Sequence, residues 1–345
     1  MPQFCCTECF GDRGLKKNII PMLPSSKGKC SYCETIDIDL VAPRHLMDYF
    51  QLLINIYEPN PNGKLLVDWL KVDWQIFTHP KLDIPRSKDL LAEILNDGEI
   101  VRRNFLPSQT YQSKELIRWE TLREELLHKN RYFLDEALDA DRLKELLNHL
   151  PSDDMPSVWY RARIRNTTEL YKIEEMGAPP KRVASHGRAN PPGIPYLYLG
   201  STPDTAISEI RPHTGETACV AEFRIDGTFN AVDLRNPRKL VSPFVLADEG
   251  AIGQLRADIG FLEKLGTELT RPVLPQAAAI DYIPSQYLCE FIKKSGKDGV
   301  IYRSSVGDGM NLALFDPQRA IGGSIQSYNV DRVSVQISPS TSLSL

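Results

Sequence analysis

An arginine, an aromatic hydroxyl and a carboxylate, Arg188, Tyr198 and Glu209, lie close together within residues 187–211. A guanidinium holds phosphate oxygens through paired donors, and a carboxylate can face a developing positive charge. The trio therefore suits an anionic, nucleotide-like substrate. Two more arginines, Arg161 and Arg163, share one face of an alternating segment at 158–164, and Ser304 follows the apolar run 299–302.

A second chemistry sits at the start of the chain. Five of the seven cysteines fall in the first 33 residues, and Cys6-x-x-Cys9 and Cys30-x-x-Cys33 form two pairs separated by 20 residues. Four thiolates at this spacing can enclose one tetrahedral zinc ion at Zn–S distances of about 2.3 Å. A closed sulfur set leaves no open coordination position, so the expected zinc is structural. Cys5 is a spare thiol, and Cys5-x-x-x-Cys9 is a competing pairing. The segment is too short to build its own core, which makes metal binding its source of folding energy. Cys219 and Cys289 stand in apolar surroundings and read as buried free thiols.

Rigid elements must present these groups. Gly187-Arg188-Ala189-Asn190 leads into a Pro/Gly turn at 191–193, a short strand at 196–199 is stopped by Gly200, and Thr202 offers an N-cap with Pro203 at the first helical position. Further strands are expected at 158–164, 218–223, 231–234, 299–302 and 312–315, with helices at 203–210, 256–269 and 285–294. Together they make a mixed α/β domain over 157–325, followed by a C-terminal strand and tail at 326–345 that frays from Ser338. Residues 41–150 read as mainly helical, with helices at 45–57, 65–77, 88–95, 116–127 and 136–150 and a break at 59–63. Residues 1–40 form the four-cysteine knuckle, and Pro151 and Pro156 mark the boundary between the halves. The expected class is α+β.

Composition narrows the function. A net charge of −4 weighs against broad nucleic-acid binding, and no apolar run approaches the roughly 20 residues of a membrane span. The N-terminus lacks the basic and apolar regions of a signal peptide, so the expected location is cytoplasmic. Gly307-x-Gly309 has no βαβ context, which excludes a dinucleotide fingerprint for hydride transfer.

Taken in order, the second-half motifs resemble the RES domain family. Tyr160-Arg161 matches its opening pair, and Gly187-Arg188-Ala189-Asn190 its Gly-Arg-aromatic-Asn segment, with alanine in place of the ring. The tyrosines at 196 and 198, Ala206-x-x-Glu209, and Tyr302-x-Ser304 with Asn311 and Phe315 complete the set, over about residues 157–325. The first half, with its cysteine pairs and Asn130-Arg131-Tyr132-Phe133, resembles the helical domain of one RES subgroup, classed with HEPN domains.

The resemblance implies a fold like the ADP-ribosyltransferases and an activity that degrades NAD+. It casts Glu209 as the carboxylate facing C1′ of the nicotinamide ribose, with Arg161, Arg188 and Asn190 binding NAD+ and Arg163 as the alternative to Arg161. Tyr198 packs on the nicotinamide or ribose, with Tyr196 as its alternative, and Ser304 bonds the nicotinamide amide or a phosphate. It further implies a toxin or anti-phage setting with a separate antitoxin. A homo-oligomer is compatible with it. Two other readings stand beside it: a protein ADP-ribosyltransferase, and an RNA-binding or RNA-cleaving HEPN-type protein built on Arg123-x4-His128.

Overall fold

The computed structural model describes residues 3–135 and 137–334. The expected fraying from Ser338 lies outside the described residues. The chain divides into two compact units. One comprises Met1–Pro151 with Asn236–Thr267; the other comprises Ser152–Arg235 with Glu268–Leu345.

The first unit is mainly helical. A two-stranded ribbon, β1 (Ser26–Gly28) and β2 (Ile38–Leu40), borders the cysteine knuckle. Helices α1 (Met47–Ile54), α2 (Leu66–Trp74), α3 (Ile84–Leu95), α4 (Glu115–His128) and α5 (Ala140–Asn148) follow, close to the expected segments. Asp83 and Asp139 cap α3 and α5 by accepting the backbone N–H three residues on. The proline-rich break at 59–63 lies within an irregular hairpin, in which β3 (Tyr57–Leu65) pairs with β4 (Asn104–Pro107) and the register shifts between Pro59 and Lys64. The segment Asn236–Thr267 joins this unit through charged groups. Arg142 grips the buried Asp258 through Nε and Nη2, and Arg256 donates to Asp73, which also accepts the Tyr57 hydroxyl.

The second unit is a mixed α/β fold on a seven-stranded sheet. Its strands are β5 (Trp159–Ile164), β6 (Leu197–Gly200), β7 (Thr217–Ile225), β8 (Ala231–Asp233), β9 (Gly299–Arg303), β10 (Met310–Leu314) and β11 (Ala320–Asn329). They lie in the order β11-β7-β5-β6-β10-β9-β8, antiparallel except for the β8–β9 pair. Alternation buries Leu197, Leu199, Ile301, Leu312 and Leu314 with Trp159 and Met176 on one face. The opposite face carries α6 (Pro203–Glu209) over Ala162 and Val220, and α7 (Ile283–Lys294), whose Lys293 lies 5.0 Å from the ring centre of Tyr196.

The join between β5 and β6 is a single pair, Tyr160 with Gly200. Every other neighbour in the sheet except the short β8–β9 pair is held by at least four pairs. The sheet therefore opens between β5 and β6, and the backbone groups exposed there need other partners.

Candidate active site

A cavity of about 440 Å³ lies at this opening, within the size range of small-molecule sites. Arg161 enters it from β5. Its Nη1 donates to the Tyr198 carbonyl at 3.2 Å, replacing the ladder bond that the divergence of the strands removes. Arg161 Nε is buried without a protein partner. Burial, then the neighbouring Arg163, lowers the Arg161 pKa to about 10, which leaves it a cation at neutral pH in want of an anion.

The Gly187–Asn190 loop supplies Arg188. Its guanidinium lies 5.0 Å from the ring centre of Tyr282 and donates to the Arg271 carbonyl at 2.8 Å. The loop is fastened from both sides. Ser285 Oγ donates to the Arg188 carbonyl and Gln286 Nε2 to that of Gly187, both from α7. From β6, the Tyr198 hydroxyl donates to Asn190 Oδ1 at 2.7 Å and accepts the Ala189 N–H at 2.9 Å. A side chain at 187 would overlap that hydroxyl and Asn190 Oδ1, so the approach requires glycine.

Two expected binding groups thus act within the loop. Asn190 is buried, its amide donating to the Ser185 and Pro191 carbonyls and its oxygen taken by Tyr198. The Tyr198 hydroxyl is committed to the loop, while the residue is part of the cavity lining. Tyr196 is buried against Phe315 and does not line it. Arg163 does not line it either; its Nη2 reaches the Gly177 carbonyl. Ala189 is fully buried.

Glu209 ends α6, a helix started by the Thr202 cap and Pro203. The residue is exposed at the cavity rim, because the helix stops one turn after its buried contact, Ala206. Ser304 Oγ donates to Glu209 Oε1 at 2.7 Å and Asn311 Nδ2 to the same oxygen at 2.6 Å. Arg211 follows with φ of 50°, a left-handed conformation that costs about 1–2 kcal/mol in a non-glycine residue. Arg211 and Ser305 line both this cavity and an adjoining groove of about 970 Å³.

A model of the RES domain matches residues 158–332, just over half of the chain. The chain belongs to the RES domain family. Among solved structures, a chain of the crystal structure of the M. tuberculosis MbcT–MbcA toxin–antitoxin complex is similar at 14% identity. That alignment covers 54% of this chain and 92% of that one, with a TM-score of 0.31. No curated protein matches.

In this RES protein the sequence reading missed Tyr282, Tyr302 and Arg211 as cavity walls. Tyr282 precedes α7 and carries no motif, and Tyr302 stands in the sequence only as part of the serine segment. Both are recognisable once α7 and β9 are known to border the split in the sheet.

The cysteines gather in the first unit. Cys6, Cys9, Cys30 and Cys33 are buried with their sulfurs within 4.8 Å of one another, close enough to hold a metal ion. Cys6 and Cys33 are 3.4 Å apart and Cys9 and Cys30 3.3 Å, near the roughly 3.8 Å between sulfurs on a tetrahedral ion with 2.3 Å bonds. Cys5 lies outside the set, with its thiol directed at the Val41 carbonyl. Arg123 and His128, five positions apart on α4, point about 140° apart around its axis. Arg123 is half-buried and His128 exposed, so the helix does not present them on one face.

Proposed function

We propose that this RES protein degrades NAD+ by cleaving its nicotinamide–ribose bond, as a glycohydrolase or phosphorylase, and acts as a NAD+-depleting toxin or anti-phage effector held in check by a separate antitoxin. The observation that carries the reading is one cavity lined by arginines, Arg161 and Arg188 among them, and a carboxylate, Glu209. Cleavage leaves an oxocarbenium-like charge at C1′, which a carboxylate stabilises without forming a bond. Arg161 and Arg188 bind the pyrophosphate, a role supported by the buried Arg161 guanidinium having no carboxylate partner and an Nε without an acceptor. The rings of Tyr198, Tyr282 and Tyr302 flank the nicotinamide and ribose. Ser304 supports Glu209 by donating its hydroxyl hydrogen to Oε1, so toward the nicotinamide amide it acts only as an acceptor. In the first unit, Cys6, Cys9, Cys30 and Cys33 hold a structural zinc ion.

Incubating the purified protein with NAD+ and following nicotinamide release tests the reading. ADP-ribose as product indicates hydrolysis, and ADP-ribose-1″-phosphate formed only with phosphate present indicates phosphorolysis. Transfer of adenylate label to protein instead would make it an ADP-ribosyltransferase. Undiminished release by Glu209→Ala would remove the site assignment.

A further inference from the structure

We propose that Asn311 is a positioning residue for Glu209, clamping one carboxylate oxygen together with Ser304 so that the other faces the substrate. This rests on the NAD+-cleaving reading above.

The register of the sheet makes the contact. Asn311 stands on β10 opposite Gly200 of β6 on one side and Tyr302 of β9 on the other. Gly200 carries no side chain, and a Cβ there would come within 2.8 Å of the Ala206 backbone nitrogen. Its absence lets the first turn of α6 lie on the sheet. Glu209, one turn later, then comes down onto Asn311. Asn311 is 5% exposed, and a buried amide of this kind is a fixed donor rather than a mobile surface group.

The two donors converge on one atom. Asn311 Nδ2 and Ser304 Oγ both reach Glu209 Oε1, at 2.6 and 2.7 Å. Ser304 Oγ accepts the Val306 N–H at 3.2 Å, which turns its hydroxyl hydrogen toward the glutamate. Both bonds are charge-assisted and directional. An otherwise exposed side chain at a helix end gains one orientation from them, with Oε2 left as the acceptor for a ribose hydroxyl or the developing charge at C1′. Ser304 comes from the loop after β9, whereas Asn311 comes from within the sheet, so Asn311 is the rigid half of the clamp.

The test compares Asn311→Leu, which is no donor at any pH, with Asn311→Asp, which is a donor only while it holds a proton whose affinity the facing Glu209 carboxylate raises; both are close to asparagine in size. The ionisable groups around them are Glu209, the Arg161, Arg188 and Arg211 guanidiniums, and the Tyr198 and Tyr302 hydroxyls, whose pKa values burial raises. Thermal melts establish folding, and kcat and KM for nicotinamide release are measured from pH 5 to 8. The expected result is a kcat loss of about ten- to a hundredfold in both variants with KM within about threefold, because misaligned reacting groups cost rate rather than binding. Asn311→Asp recovers relative to Asn311→Leu by about fivefold or more toward pH 5, since a protonated aspartic acid is again a donor. Ser304→Ala, which leaves the sheet intact, gives a smaller kcat loss of the same kind. Unchanged kcat, a loss confined to KM, or an Asp-to-Leu ratio flat with pH overturns the proposal. A wild-type protein that releases no nicotinamide overturns the parent reading, and this inference with it, in the wild-type arm alone.

Discussion

Arg161 is a desolvated cation whose Nε has no protein partner, and that state has opposite consequences for stability and for binding. Replacing it with a linear apolar side chain removes a charge that burial disfavours. Arg161→Met also takes the donor from the Tyr198 carbonyl, so the two effects on stability oppose and the Tm should move by only a few degrees, while ADP-ribose binding weakens by about tenfold or more, measured by calorimetry beside a thermal melt. Glu209→Gln should separate differently. It retains the shape of the cavity, so ADP-ribose binding stays within about threefold, while nicotinamide release falls by about a hundredfold or more. Arg161, Arg188 and Glu209 are legible from residue type and order alone. The fastening of Tyr198 to Asn190 is not, because a hydroxyl in a strand reads the same whether it faces a ligand or a loop. The shared hold on Glu209 is also hidden, since Asn311 is 102 residues away in sequence and becomes its neighbour only through the β10–β6 register.

The sequence patterns that survive into elements are those with a local cause. The cap and proline of α6, the alternation of β5 and β6, and the apolar runs of β9 and β10 all appear where expected. The C-terminal strand expected from residue 326 begins earlier, at Ala320, because β11 is extended by pairing with β7 along mostly exposed residues whose burial does not alternate. At the knuckle, geometry decides between the two pairings that spacing leaves open. Cys30→Ser should lose the metal and lower the Tm, whereas Cys5→Ser should keep a stoichiometric ion; a chromogenic zinc assay after thiol modification reads both. A nearby turn supplies a pH signature. Asp12 is buried, accepting the Leu15 N–H and the Ser242 hydroxyl through Oδ1, and burial raises its pKa from 3.8 to about 6. Between these values the folded chain binds more protons than the unfolded one, so this group's contribution to stability falls as pH rises from about 4 to 6. Asp12→Asn should flatten the dependence of unfolding free energy on pH across that window, by an amount on the order of 1–3 kcal/mol.

At the scale of the molecule, one feature escapes any linear reading: the segment Asn236–Thr267 lies within the RES match yet packs with the first unit. Nothing in its composition marks the passage, because its apolar positions suit a helix wherever that helix docks. Its buried residues include Phe244, Leu255, Ile259 and Leu262, and its charged anchors, Asp258 and Arg256, have their partners in Arg142 and Asp73. A fragment of residues 152–345 would carry this segment without those partners. It would expose several large apolar side chains, each worth about 1.5–3 kcal/mol when buried, and leave a carboxylate with no cation beside it. The fragment alone should therefore accumulate in the insoluble fraction, and co-expression with residues 1–151 should return it to solution. Comparing the soluble fractions, and then the denaturant unfolding of the reassembled pair with that of the intact chain, measures the effect. A soluble, cooperatively folded 152–345 fragment would show that the segment does not depend on the first unit for its core.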